Sequence, residues 1–190
     1  KLINGSVKVH VSRKEGGRYQ PKSFGCEIII ISCSGSAFKQ NIPLSLCVFT
    51  DEVKTMGRLS NIKSVNASVS VLGAIQAKEL GFENAILTNI KGNCIEATNS
   101  SLFIVKDNVI YTPPLSDGCI DGTMRAWVLN NNKIIKKSLS LIDVKNADEV
   151  FITNAINGIT SVNRVEEISF NSFIYTSKLQ NKLISLSLGL

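Results

Sequence analysis

The spacing of apolar and polar positions changes period several times along the chain. Val7, Val9 and Val11 alternate with Lys8, His10 and Ser12, the period-two signature of a half-buried strand over 7–12, with His10 on its polar side. Glu15-Gly16-Gly17-Arg18 reads as a turn, and Cys26-Glu27-Ile28-Ile29-Ile30-Ile31-Ser32 as a second strand. A third strand is expected over 42–49. From 64 to 80 the spacing becomes helical, with Val65, Val69, Leu72 and Ile75 on one stripe and Gly81 as the stop. A strand over 84–88 and a turn at Lys91-Gly92-Asn93 follow. A hairpin then has arms 102–105 and 109–111 around Lys106-Asp107-Asn108. A short helix over 122–130, strands over 134–139 and 149–153, and a terminal helix over 172–186 complete the pattern. Strands and helices interleave without a strict βαβ period, which predicts an α+β fold.

Composition narrows the possibilities. With 44% hydrophobic and 19% charged residues, the chain has the make-up of a folded protein. No stretch approaches the ~20 apolar residues of a membrane span, so no membrane association is expected. A net charge of +6 favours anionic ligands such as phosphates and carboxylates. Its basic residues are scattered and aromatics are few, so nucleic acid is not an expected partner. The five cysteines form no C-x-x-C pair and His10 is the single histidine. A structural metal and a histidine-based triad therefore have almost no material, and the cysteines, several of them in apolar runs, point to core positions in a reducing cytoplasm. The opening Lys1-Leu2-Ile3-Asn4-Gly5 has neither an initiator Met nor the order of a signal peptide, and reads as a cut into a longer protein.

Four motifs carry chemistry. Lys63 stands in Ser60-Asn61-Ile62-Lys63-Ser64-Val65-Asn66, ahead of the first helix. Glu96-Ala97-Thr98-Asn99-Ser100-Ser101 follows a strand. Tyr111-Thr112-Pro113-Pro114-Leu115 leads to Asp121-Gly122-Thr123-Met124-Arg125, and Ala147-Asp148-Glu149-Val150-Phe151 leads to Thr153-Asn154-Ala155. A helix start at Gly122 offers unpaired N–H donors and positive potential to an anion, whatever the family. In this order the motifs resemble the fold-type IV, class IV aminotransferase family of pyridoxal-phosphate (PLP) enzymes. That family includes branched-chain and D-amino-acid aminotransferases and 4-amino-4-deoxychorismate lyases.

The resemblance implies a role for each motif. Lys63, in an I-K-x-x-N context, would be the catalytic Schiff-base lysine, which predicts a sheltered side chain. Glu96 would face the pyridine nitrogen and keep it protonated, with Asn99 and Ser100 near the ring. Backbone N–H groups at Thr123 and Met124 would hold the phosphate, aided by Asn154 and Ala155, while Arg125 braces the helix. Aminotransferases usually carry Ser or Thr where this chain has Ala155, whereas the lyases more often show Asn-Ala. Ser12-Arg13-Lys14-Glu15-Gly16-Gly17-Arg18 likewise resembles the lyases' S-R-x-x-G-G-R loop. Arg18 would there grip a substrate carboxylate, as a planar guanidinium suits. Tyr19 departs from the Gly that usually follows in that loop.

Residues 1–36 are expected to be the end of a small N-terminal domain, and 37–190 a large PLP-binding domain. The family's small domain also supplies a phosphate-binding arginine and part of the substrate pocket, which would lie outside this chain. The expected activity is conversion of 4-amino-4-deoxychorismate to 4-aminobenzoate and pyruvate. The alternative is transamination of branched-chain or D-amino acids with 2-oxoglutarate. Lys63-Ser64-Val65-Asn66-Ala67-Ser68 lacks the tyrosine of the branched-chain enzymes' K-x-G-x-x-Y segment. The family also implies a homodimer acting on a small anionic amino-acid-type substrate.

Overall fold

The computed structural model of the chain describes residues 4–189; 1–3, which open the stretch read above as a cut, and 190 lie outside the described residues. The chain divides into two compact units, Lys1–Ala37 and Phe38–Leu190. In the first, strands β1 (Gly5–Arg13) and β2 (Cys26–Ser34) pair antiparallel, with Val9 opposite Ile30 and His10 opposite Ile29. The expected half-burial of β1 is not met: Val7, Val9 and Val11 are exposed, as are Ile28 to Ile31. Two strands alone have no layer of their own to cover an apolar face. Cys26 and Cys33 are exposed with them, so their apolar runs are not core. In the connecting loop Arg13 donates to the carbonyls of Gly16, Gly17 and Arg18 at 3.2, 3.1 and 3.4 Å. Gly16 and Gly17 make that wrap possible through φ of 115° and 75°.

The second unit is built on a nine-stranded sheet of β3 (Leu44–Val48), β4 (Asn84–Thr88), β5 (Cys94–Ala97), β6 (Ser100–Lys106), β7 (Val109–Thr112), β8 (Ile134–Lys136), β9 (Glu149–Asn154), β10 (Gly158–Val165) and β11 (Ile168–Ser169). Six of these close on themselves. β10 pairs with β3, β3 with β4, β4 with β5, β5 with β6, β6 with β9, and β9 returns to β10. β6 gives one edge to β9 and shares the other between β5 and β7. Closure leaves no open edge along these six strands.

Because each strand is covered on both sides, alternate residues enter different cores. Leu46, Ile86, Leu102, Ile104, Val150 and Val162 form one buried cluster. Their neighbours Phe103, Val105 and Phe151 pack with Leu179 and Leu183 of α4 (Ile174–Leu188) and with Val128 of α2 (Thr123–Asn131). The Phe103 and Phe151 rings stack at 4.8 Å with 3° between their planes. Cys47, Ala85, Leu87 and Ile95 form a third cluster under α1 (Ser68–Glu79).

α1 starts four residues later than its spacing predicts, and of the expected stripe only Val69 packs inward. Leu72 and Ile75 are exposed, while Gly73 and Ala77 are buried. The reason is close approach: a Cβ on Gly73 would stand 3.0 Å from Leu87 Cδ2 and 3.3 Å from Thr98 Cγ2. Small residues let the helix lie near the sheet, and the larger apolar ones are displaced outward. Gly81, at φ 75°, ends the helix as expected. The hairpin turn also has its expected form, with Asp107 and Asn108 both left-handed at φ 50° and 64°.

Two carboxylates cap helix starts, one of them from the sheet. Glu149, buried on β9, accepts from the N–H groups of Tyr175 and Thr176 at 2.9 and 3.0 Å and from the Thr176 hydroxyl at 2.9 Å, closing the start of α4. The five-residue α3 (Leu141–Lys145) is opened by a capping box, in which Ser140 Oγ accepts from Asp143 N–H and the Asp143 carboxylate accepts from Ser140 N–H. The Lys137 ammonium, with Ser140, holds the Asp143 carboxyl down at about 2, against an ordinary 3.8. A carboxyl depressed in the fold contributes stability above its ordinary value and loses it as pH falls through the folded one. Asp143→Asn is therefore expected to cost about 1 kcal/mol at neutral pH. In denaturant titrations the gap to the unsubstituted chain should close between pH 3.8 and about 2; a gap that persists unchanged at the acid end would refute the assignment.

Candidate active site

The strand ends of β5, β6 and β9 meet the start of α2 at a cleft of about 180 Å³. Lys63, Glu96, Asn99 and Ser100 line it, and Thr123, Met124 and Asn154 face them. Ala155, next along, is exposed and outside the lining, so its backbone is what it can offer. Arg18 belongs to the first unit, where it is exposed. Thr153 and Ser101 also line the cleft; both stand in the motifs quoted above, which assign neither a role of its own.

Lys63 sits on the loop between β3 and α1, and this loop is tied down two residues earlier. Asn61 donates from Nδ2 to the carbonyls of Leu115 and Cys119 at 2.8 and 2.6 Å, and its own carbonyl accepts from Asp121 N–H at 3.1 Å. Gly118, at φ 97°, comes so close that a Cβ would meet the Thr55 carbonyl at 3.0 Å. The lysine loop and the loop entering α2 are thus one packed pair. Lys63 itself is exposed, not sheltered as expected, because no described residue of its unit covers the outer side of its loop.

Glu96 is buried on β5 with both oxygens engaged. Oε2 accepts from Ile120 N–H at 2.7 Å, and Oε1 is paired with the Lys54 ammonium. The neighbouring thiol of Cys119 is pushed up to about 11 by burial, and contacts the Pro113 and Pro114 carbonyls at 3.8 and 3.6 Å. It is an inert packing group at neutral pH.

A polar chain forms the floor. Asn84 Nδ2 donates to Asn99 Oδ1 at 3.0 Å, Ser100 Oγ donates to the same oxygen at 2.9 Å, and Asn154 Nδ2 donates to Ser100 Oγ at 2.9 Å. Asn154 Oδ1 then accepts from the N–H groups of Ile156 and Asn157 at 3.0 and 2.7 Å. Side chains satisfied by one another in this way have fixed orientations.

At the far end no side chain caps α2, and its first backbone bond runs from Ala126 N–H to Gly122 carbonyl at 2.9 Å. The N–H groups before it, at Thr123 and Met124, have no partner within the helix, and donors so placed suit an anion. A Cβ on Gly122 would lie 3.0 Å from Ser101 Oγ, so the gap exists because residue 122 is glycine. Arg125 braces the helix from beneath, fully buried, donating from Nη2 to the Pro113 carbonyl at 2.9 Å. Thr153 Oγ1 is buried without a hydrogen-bond partner. An unpaired hydroxyl, an uncapped helix start and a glycine gap fit a phosphate group. A buried carboxylate across the cleft fits a cationic ring, and a lysine amine at the rim fits an aldehyde. Among the described residues, no His/Cys/Asp/Glu group could hold a metal.

The chain is similar to known proteins in sequence and in fold. The family model for class IV amino-transferases matches residues 1–165. The aminodeoxychorismate lyase of Vibrio harveyi is 27% identical over 198 residues, covering 95% of this chain and 72% of its own. The D-alanine aminotransferase of Bacillus licheniformis is 32% identical over 111 residues, covering 56% of this chain and 39% of its own. Among solved structures, the 4-amino-4-deoxychorismate lyase of Pseudomonas aeruginosa superposes with a TM-score of 0.83 at 24% identity, over 93% of this chain and 69% of that one. The chain thus spans part of the length of the proteins it matches.

Thr153→Val is expected to raise the stability of the unliganded protein by about 1 kcal/mol, since it removes a buried hydroxyl with no partner. It should at the same time weaken binding of inorganic phosphate. A lower melting temperature with phosphate binding unchanged would show instead that the hydroxyl serves the fold.

Proposed function

The chain belongs to the class IV amino-transferase family of PLP-dependent enzymes, and from this we propose that it is the lyase that converts 4-amino-4-deoxychorismate to 4-aminobenzoate and pyruvate, a step towards folate. What supports the reading is a single cleft that brings together an amine, a buried carboxylate and an uncapped helix start. When bound, the cofactor supplies an electron-withdrawing ring that stabilises negative charge on the carbon bearing the substrate amine. Lys63 would hold the cofactor aldehyde through Nζ. Glu96 would face the ring nitrogen, Asn99 and Ser100 would position the ring, and the N–H groups of Thr123, Met124 and Asn154–Ala155 would hold the phosphate, with Thr153 Oγ1 as a further donor.

The substrate amine would replace Lys63 Nζ, leaving that nitrogen free to remove the proton on the amine-bearing carbon and to return it to the enolpyruvyl group as its C–O bond to the ring breaks and pyruvate departs. One amine serves as base and acid because the substrate releases it. Exposure of Lys63 on its loop gives it room to move between the two tasks. Arg18 would meet a substrate carboxylate. We read residues 1–36 as the end of a small domain and 37–190 as the large PLP-binding domain. The protein would act as a homodimer in the cytoplasm, a compartment that suits its five free cysteines.

The lyase is favoured by the Vibrio relative, which matches along 95% of the chain, and by Asn154-Ala155, which offers no hydroxyl at the phosphate position. The second reading, an aminotransferase using branched-chain or D-amino acids with 2-oxoglutarate, draws on the D-alanine aminotransferase relative at 32% identity. Products separate the two. The full-length protein given PLP and 4-amino-4-deoxychorismate should release 4-aminobenzoate and pyruvate, and Lys63→Ala should lose about 10²–10⁴-fold in rate. Conversion of 2-oxoglutarate to glutamate with D-alanine or leucine, and no 4-aminobenzoate, would establish the aminotransferase. Failure to bind PLP at all would refute both.

A further inference from the structure

Glu96 is not free to meet a ring nitrogen alone. Its Oε1 already carries the Lys54 ammonium and its Oε2 the Ile120 N–H. Lys54 pairs with the carboxylate but lies outside the cleft lining. Its side chain is 16% exposed against 4% for Glu96, so the pair is largely withdrawn from water. The backbone of Lys54 is fixed as well: its N–H donates to the Thr88 carbonyl at 2.9 Å, and it bridges to Asn89 at the end of β4. Asn89 is fully buried and donates to the Asp117 carbonyl at 3.0 Å. The ammonium is therefore delivered from an anchored segment, and the carboxylate is aimed by donors on two sides.

Resting on the cofactor reading above, we propose that Lys54 is a positioning residue that sets how strongly Glu96 grips a protonated ring nitrogen. A buried carboxylate without a partner is costly, and Lys54 neutralises Glu96 while the cleft is empty of a cation. Once a pyridinium faces Glu96, two cations share one carboxylate. Attraction of the ring to Glu96 is then offset by repulsion from the ammonium paired with it. Lys54 thereby keeps Glu96 oriented, and in exchange moderates its hold on the ring.

The test compares two ligands on the full-length apo-protein, followed by quenching of Trp127 fluorescence: pyridoxal 5′-phosphate and its 1-deaza analogue, in which carbon replaces the ring nitrogen. The preference for the natural ligand reports the grip on that nitrogen, and effects on general packing cancel. Lys54→Gln should raise the preference on the order of tenfold, since close buried charge pairs couple at least that strongly. Lys54→Arg, which keeps the charge, should retain the wild-type preference, and Glu96→Gln should abolish it. Where Lys54→Gln does not fold, Lys54→His replaces it: its preference relative to wild type should rise as the imidazole loses its charge between about pH 5.5 and about pH 8. Equal weakening of both ligands in the Lys54 variants would overturn the proposal and leave Lys54 a structural counter-ion. Absence of binding of either ligand to the wild-type protein would overturn the cofactor reading and this proposal with it.

Discussion

The whole site depends on β9 being hydrogen-bonded along both edges, to β6 on one side and β10 on the other. This pairing closes the six-strand circuit, and closure is what permits so apolar a set of strands to be buried on both faces without a free edge. It also fixes register. Ser101 stands opposite Thr153, and Leu102 opposite Ile152. A slip of one residue would exchange the two cores and turn the polar residues at the strand ends away from the cleft. The same strand holds α4 at its other end through Glu149. One strand thus couples the packing of the terminal helix to the placement of the polar floor.

Much of this architecture is legible in the sequence where local chemistry decides it. The hairpin at Asp107-Asn108 is dictated by a turn that needs two left-handed residues, and Gly81 and Gly122 mark helix ends as such glycines do. Where tertiary contact decides, periodicity misleads. Helix α1 was read by its larger apolar residues, yet close approach to Leu87 and Thr98 selects Gly73 and Ala77 for the inner face. β10 has no separate signal because Thr160, Ser161 and Asn163 interrupt its apolar positions. α3 is too short for a period to register, and its capping box is visible only as Ser140 and Asp143 three apart.

The site was legible in a different way. Lys63, Glu96, Thr123, Met124 and Asn154 belong to contiguous motifs, and contiguous motifs survive in a linear string. Lys54 stands in no motif, and Thr153 stands in one without announcing a role. A lysine forty-two residues from its carboxylate looks like any surface lysine, and a strand threonine looks like a strand former. Both acquire meaning only from burial combined with the presence or lack of a partner, which no spacing encodes. Exposure of Lys63 escaped for the same reason. Its loop is anchored on one side by Asn61, and what shelters the other side is not a property of the local sequence.

Anchoring and openness divide the labour across the cleft. The carboxylate and the polar floor are over-determined: Glu96 has two donors, and Asn99, Ser100 and Asn154 hold one another. Rotation of any of them would strand a buried polar group, at a cost of about 1–3 kcal/mol. The amine on the opposite rim has no such bonds among the described residues. An arrangement that stabilises charge gains from groups fixed before the ligand arrives, since none of the binding energy is then spent on ordering them. A group that must hold a ligand, release it and then move a proton gains from the reverse. Under the proposed function, rigidity behind Glu96 and freedom at Lys63 would be two consequences of one chemical demand, met by burying the first on a strand and leaving the second on a loop.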